Sequence, residues 1–191
     1  VTLDDFNKYR RVFSTFGLGS STGIDFPKEN TGIKGDKIAS DLYLNLAIGQ
    51  YDTYTPLQIL NYINTIANNG TRMALSFKKG DPNELNKVSL EPKYLKRIQE
   101  GFYEVVNGGT ANNFINKKYH AAGKTGTAQN YYAPGITTIN TTFASYFPFE
   151  DPKYSLVLNP NISVEGAKVK YNAPLHRLIS TEITNYLFAK P

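Results

Sequence analysis

What most limits the fold of this chain is the order in which its hydrophobic periods occur. Up to about residue 106 the apolar residues recur mainly at helical spacing. From Tyr119 to Val169 short alternating segments follow one another, and a last helical pattern opens at Pro174. Helices first, then adjacent strands, then one helix to cover them is the order of an α+β fold with an antiparallel sheet. With 191 residues, 40% of them hydrophobic, the chain can bury one core and is short for two.

Several elements can be placed from local chemistry. Thr2 and Asp5 form a capping-box pattern, and Leu3, Phe6, Tyr9, Phe13 and Phe16 recur on one face until Gly17. Glycine-rich turns run to Pro27 and a polar loop to about Ser40, and Asp41 to Ile48 reads as a short mixed segment. Thr55-Pro56-Leu57-Gln58 is the clearest start signal: a threonine cap, proline at the first helical position and glutamine to close the box. Leu57, Leu60, Ile63, Asn64 and Ala67 give that helix its expected inner stripe, and Asn69-Gly70 stops it. Residues 72 to 90 resemble a hairpin, and a further helix is expected from about Pro92 to Val106, with Leu95, Ile98, Phe102 and Val105 inward. Strands are predicted from Tyr119 to Gln129, Thr138 to Phe147, Tyr154 to Leu158 and near Ile162 to Val169. Asn130 to Gly135 reads as a loop. The last helix is expected to bury Leu175, Leu178, Ile179, Ile183 and Leu187.

Composition excludes several chemistries. There is no cysteine, hence no disulfide or thiolate metal site, and only His120 and His176 are available for a histidine-based metal centre or triad. No metal and no cofactor is expected. The net charge of +5 is spread without a basic run, so a nucleic-acid partner is not expected. No stretch of these residues approaches a membrane span, and no signal peptide is expected among them.

The chemistry concentrates in Ala121-Ala122-Gly123-Lys124-Thr125-Gly126-Thr127-Ala128-Gln129. Glycines 123 and 126 remove side chains where something must approach the backbone closely. Lys124 supplies charge and Thr125 and Thr127 supply directional donors, a natural seat for a carboxylate, while a bare backbone N–H can face a developing oxyanion. The same residues also suit a glycine-bent surface strand with a solvated lysine. A phosphate loop is ruled out, because Lys118 stands where the first glycine is needed and no helix is expected afterwards. Gly17-Leu18-Gly19-Ser20-Ser21-Thr22-Gly23 fails as a dinucleotide fingerprint, since its third glycine comes one place late and it follows a helix rather than a strand.

Lys124-Thr125-Gly126 is also the third motif of the penicillin-recognising serine enzymes. It sits among other stretches in family order: Phe16-Gly17-Leu18-Gly19, Thr22 to Pro27, Ala47-Ile48-Gly49-Gln50 leading into Thr55 to Gln58, Ile66 to Gly70, Gly109-Thr110-Ala111, and Phe143 to Pro148. Over nearly its whole length the chain resembles the transpeptidase domain of class B penicillin-binding proteins, closest to the elongation-type enzymes of low-GC Gram-positive bacteria. The resemblance implies a partial penicillin-binding-protein/β-lactamase-like fold, with about three sheet strands in residues 1–191. It implies a D,D-transpeptidase that cross-links stem peptides ending in D-Ala-D-Ala through an acyl-serine, and that β-lactams acylate in the same place. Lys124 would set the electrostatics and help relay the proton. Thr125 and Thr127 would hold the substrate carboxylate, Thr127 N–H would be half the oxyanion hole, and Gly126 would let the substrate lie on the strand. Gln129 and Asn130 would be rim contacts.

One departure is large. Ser76-Phe77-Lys78-Lys79 has the S-x-x-K spacing, but Gly80-Asp81-Pro82 breaks the helix that would set serine and lysine one turn apart. No S-x-N occurs. Tyr43-Leu44-Asn45 and Tyr62-Ile63-Asn64 have a related spacing but fall after the Asp25 stretch and read as helix or core. The chain is therefore expected to be the C-terminal portion of one transpeptidase domain, with the serine upstream. Its expected partners are the stem peptide, β-lactams, the upstream half of its own domain, and another copy through an exposed sheet edge. The resemblance places it on the extracellular face of the membrane, anchored by a segment outside these residues. Two other readings are a non-catalytic wall-binding module that keeps the Lys124 strand, and a related β-lactamase or D,D-carboxypeptidase. The Gly17–Pro27 and Gly49–Gln58 stretches argue against the hydrolase.

Overall fold

The computed structural model describes residues 1–80, 83–133, 136–159, 161–165 and 174–189, with backbone alone for 129–133, 136–138, 161–165 and 174. The chain divides into two compact units, Val1–Leu95 and Lys96–Pro191.

In the first unit, helix α1 (Leu3–Thr15) opens on the expected box, with Thr2 N donating to Asp5 Oδ2 at 2.9 Å and Asp5 N to Thr2 Oγ1 at 3.4 Å. Phe6 is fully buried among the rings of Tyr43 and Tyr51, at 5.5 and 5.6 Å between centroids. Residues 41–48, expected as a mixed segment, form most of a second helix, α2 (Ser40–Ala47). It has no side-chain cap, which removed the start signal, and it is held by Leu46 and Tyr43 packing inward.

Helix α3 (Pro56–Ala67) carries the Thr55–Gln58 box, but its buried face differs from the expected apolar stripe. Gln58, Asn61 and Thr65 are buried beside Ile63, Ile66 and Ala67, whereas Leu57 and Leu60 are only half-buried. The buried amides are bonded to other parts of the unit. Gln58 Nε2 donates to Ser20 O at 2.8 Å, and Asn61 Nδ2 to Met73 O at 2.7 Å. Asn61 Oδ1 accepts from Arg72 Nε at 2.7 Å, and the Arg72 guanidinium also donates to Ser21 O. The helix therefore fixes the 17–22 turn by directional bonds. A Cβ on Gly17, at φ +102°, would lie 2.6 Å from Asn61 Oδ1, so this turn requires glycine. The expected hairpin is present as β1 (Thr71–Met73) antiparallel to β2 (Glu84–Lys87).

Helix α4 (Pro92–Asn107) leads into the second unit. Its sheet has four strands and is three strands wide. Strand β3 (Ala122–Ala133) pairs antiparallel with β4 (Ile136–Phe147), Lys124 opposite Ala144 and Thr127 opposite Thr141. The other flank of β4 takes β5 (Tyr154–Leu158) along residues 143–147 and β6 (Asn161–Glu165) along 136–140. The β3–β4 hairpin is longer than the sequence suggests. Residues 130–133 belong to β3 rather than to a loop, and Tyr119 lies in a 3₁₀ turn (Lys117–Tyr119) rather than in the strand. Of the strand predicted at 162–169, residues 166–169 lie outside the described residues.

The core of this unit joins Val106, Ala111, Phe114, Ile115, Tyr119, Ala121, Phe143 and Phe147. Helix α5 (Pro174–Phe188) does not bury its leucines as expected: Leu175 and Leu178 are 39% and 56% exposed, and Ile179, Ile183 and Leu187 are half-buried. The buried residues are His176, Ser180 and Thr184, one turn apart. Ser180 Oγ donates to His176 O at 2.6 Å and Thr184 Oγ1 to Ser180 O at 2.8 Å, so these hydroxyls satisfy themselves within their own helix. His176 stacks on Phe114 and its Nε2 lies 3.3 Å from Thr141 O in β4.

Candidate active site

Strand β3 is an edge strand among the described residues, with β4 on one side and no partner on the other. Its small residues make two different kinds of approach. Ala122 and Gly123 are buried, and a Cβ on Gly123 would lie 2.5 Å from Ala144 O and 2.8 Å from Ser145 Cβ. Gly123 is thus required by the contact between β3 and β4. Gly126 is exposed, and its Cβ would meet nothing nearer than Thr142 Cβ at 3.7 Å, an ordinary contact. Among the described residues nothing demands a glycine there.

Lys124, Gly126 and Thr127 are exposed and Thr125 is half-buried. Lys124 Nζ donates to Thr125 O at 2.7 Å and has no carboxylate partner among the described residues. Alternation places Thr125 and Thr127 on one face of the strand and gives their backbone groups the same direction. Gln129 continues the strand opposite Ile139, and its side chain, like that of Asn130, lies outside the described residues.

The turn after α4 supplies a contact that the sequence did not single out. Gly109 N donates to Glu104 O at 2.9 Å and Ala111 N to Val105 O at 3.0 Å, closing the helix end. Asn107 Nδ2 then bridges Tyr103 O at 2.8 Å and Ala121 O at 3.1 Å, tying that end to the start of β3. The turn brings Thr110 Oγ1 to 2.8 Å from Thr125 Oγ1. Asn107-Gly108 signals the helix stop and Gly109-Thr110-Ala111 stands in the sequence as one stretch of the family order, but only the chain's return along β3 makes Thr110 a neighbour of the Lys124 strand.

Ser76 is not brought to a lysine on a helix. It lies just before the bend at 77–80, where its Oγ accepts from Lys78 N at 3.0 Å and sits 3.4 Å from Asp25 Oδ2. The hydrogen bond from Phe77 N, against the cost of burial, lowers the Asp25 pKa, so this carboxylate stays ionised at neutral pH. Tyr43 and Asn45 lie in α2, and Tyr62 and Asn64 in α3. Burial pushes the Tyr62 phenol up to about 12, which removes it as a neutral-pH base. No described helix is long and apolar enough to cross a membrane.

Residues 4–180 match the model of the penicillin binding protein transpeptidase domain. The chain is similar to penicillin-binding protein 2A of Bacillus subtilis, 39% identical over 191 residues that cover 87% of this chain and 26% of the relative. It is 35% identical to penicillin-binding protein 2B of Streptococcus pneumoniae over 173 residues, 79% of this chain and 25% of the relative. The solved structure of penicillin-binding protein 2B from S. pneumoniae strain R6 superposes with a TM-score of 0.81 at 30% identity, covering 97% of this chain and 33% of that one. The chain thus spans about a quarter of the length of the curated relatives it matches. Given the match across both units, the chain belongs to the transpeptidase domain family of the class B penicillin-binding proteins.

Proposed function

We propose that this chain carries the substrate-seating strand of a D,D-transpeptidase that cross-links peptidoglycan stem peptides ending in D-Ala-D-Ala. The observation that carries the reading is the contrast between the two glycines of β3. Gly123 is explained by contact with Ala144 and Ser145, whereas Gly126 is explained by nothing among the described residues. A missing side chain at an exposed edge position, between Lys124 and Thr127, leaves room for an extended peptide to run beside the strand.

On this reading the Lys124 ammonium, which has no carboxylate partner among the described residues, attracts the terminal carboxylate, and the hydroxyls of Thr125 and Thr127 orient it, Thr125 being set by its bond to Thr110. The Lys124 ammonium sits on Thr125 O. If that carbonyl faces the open edge, Thr127 N–H faces it as well, where it can donate to the developing oxyanion. The attacking serine, of the S-x-x-K type, lies outside these 191 residues and transfers the peptide through an acyl-serine. β-Lactams, which carry a carboxylate beside a reactive amide, acylate the same serine. Gln129 lines the rim. The isolated chain is inactive, functions with the upstream half of its own domain, and works outside the cell membrane on an anchor elsewhere in the protein.

Intact-mass spectrometry with excess benzylpenicillin tests this. The 191-residue chain should gain no adduct. Joined to an upstream segment that supplies the serine, it should gain one equivalent, at a rate about 10²-fold lower in Lys124→Ala. A stoichiometric adduct on the isolated chain that disappears in Ser76→Ala would overturn the assignment of the nucleophile. An unchanged rate in Lys124→Ala would overturn the role of the strand.

A further inference from the structure

A second polar constellation lies in the first unit and does not depend on the reading of the Lys124 strand. Asn7, Arg10 and Arg11 share one face of α1 and line a cavity of about 240 Å³ with Lys34, Asp52 and Tyr54. The opposite wall is set by an antiparallel bridge, Ile33 N donating to Thr53 O at 3.0 Å and Thr53 N to Ile33 O at 2.9 Å, which brings Lys34, Asp52 and Tyr54 together.

Asp52 is fully committed. Its Oδ1 accepts from Arg10 Nη2 at 2.8 Å and Gly35 N at 2.9 Å, and its Oδ2 from Arg10 Nε at 2.8 Å. The Asp52 and Arg10 side chains are 1% and 10% exposed, and Arg10 Nη2 also reaches Gly35 O at 2.9 Å. This leaves Arg10 Nη1, with two donors, without a hydrogen-bond partner among the described residues, on a side chain that lines the cavity. Lys34 Nζ and the Tyr54 hydroxyl also lack a hydrogen-bond partner among the described residues, and Arg11 reaches only the exposed Asp4, at 3.7 Å. Burial, reinforced by the Asp52 charge, pushes the Tyr54 phenol up to about 12, so it remains an O–H donor at neutral pH. A structural ion pair accounts for Asp52 but not for the idle Nη1 or for two further cations gathered beside it.

We propose that this cavity binds a small oxyanion, a single phosphate or carboxylate group, held by Arg10 Nη1 and Lys34 Nζ with the Tyr54 hydroxyl as a third donor. The guanidinium fork is already oriented by Asp52, so little ordering is needed on binding. The volume lies below the usual range of about 300–1,000 Å³ for drug-sized ligands, and suits one charged group with a short substituent.

The test is titration of the 191-residue chain with inorganic phosphate and, separately, acetate at constant ionic strength, followed by amide chemical shifts. Saturable shifts at Gly19, Gly35 and Tyr54 are expected, and the tighter of the two anions identifies which group the site takes. Lys34→Glu, at an exposed position, should weaken binding at least tenfold with the spectrum otherwise folded. Arg10→Lys should do the same by removing the fork. Should Arg10→Lys unfold the unit, Lys34→Glu decides. Shifts that never saturate, or an affinity unchanged in Lys34→Glu, would mean a general salt effect and overturn the proposal.

Discussion

Replacing Gly123 by alanine, beside the same change at Gly126, separates what β3 needs in order to fold from what the proposed function asks of it. The added Cβ would sit 2.5 Å from Ala144 O, 2.8 Å from Ser145 Cβ and 3.0 Å from Ser145 Cα. Two of those atoms are backbone of β4, which pairs with strands on both flanks and cannot retreat as a flexible side-chain tip would. Overpacking of this kind costs about 1–3 kcal/mol. A loss of about 2 kcal/mol lowers Tm by about 4–8 °C in a chain of this size. It moves the urea midpoint down by about 1 M for a slope near 2 kcal/mol/M. Gly126→Ala, with only Thr142 Cβ at 3.7 Å, should stay within about 0.5 kcal/mol of the parent. Urea unfolding followed by circular dichroism measures both variants on one scale. If Gly123→Ala unfolds within about 0.5 kcal/mol of the parent, or if Gly126→Ala is the more destabilised, then the division between a structural and a functional glycine is wrong.

Asp52→Asn should cost about 3–5 kcal/mol, because it leaves the Arg10 charge buried and unpaired, and Arg10→Met with Asp52→Leu should recover most of that loss. A single-variant loss below about 1 kcal/mol would contradict the pairing. Hydrogen bonds from Lys8 and from Thr2 hold the Asp5 carboxyl down to about 2, from its usual 3.8. Its contribution is therefore present above about pH 4 and is lost as pH falls through about 2. Acid titration of stability should show that decline, and Asp5→Asn should flatten it. The flank formed by β5 and β6 has no further strand among the described residues, and Tyr154 to Leu158 is apolar and uncharged. We expect it to pair with a second copy or with the upstream half of the domain. Light scattering of the isolated chain should show concentration-dependent dimers, and a monomer at every concentration would refute self-pairing.

Much of this molecule was legible before any coordinates, for reasons that are local. The caps at Thr2 and Thr55 act within a few residues, and so did their signals. The α+β order followed from the change of period near residue 119, and the Lys124 strand from its glycines and hydroxyls. What failed depended on distant partners. Helix α2 has no cap and owes its form to packing against Phe6, so nothing within residues 40–48 announced it. The rule that leucines face inward failed on α5, where self-bonded Ser180 and Thr184 and the stacked His176 occupy the buried side instead. It failed again on α3, where Gln58 and Asn61 are buried because Ser20, Met73 and Arg72 meet them from elsewhere in the chain.

The site divides in the same way. Residue types and their spacing were enough to locate Lys124, Thr125, Gly126 and Thr127 on one extended strand, since a strand's alternation is written into consecutive residues. Only the tertiary structure could set Thr110 beside Thr125, distinguish Gly123 from Gly126, and fold Arg10 onto Asp52, 42 residues away. Each of those depends on which backbone or side-chain atoms arrive from another part of the chain. That is a matter of packing in three dimensions, and no local pattern encodes it.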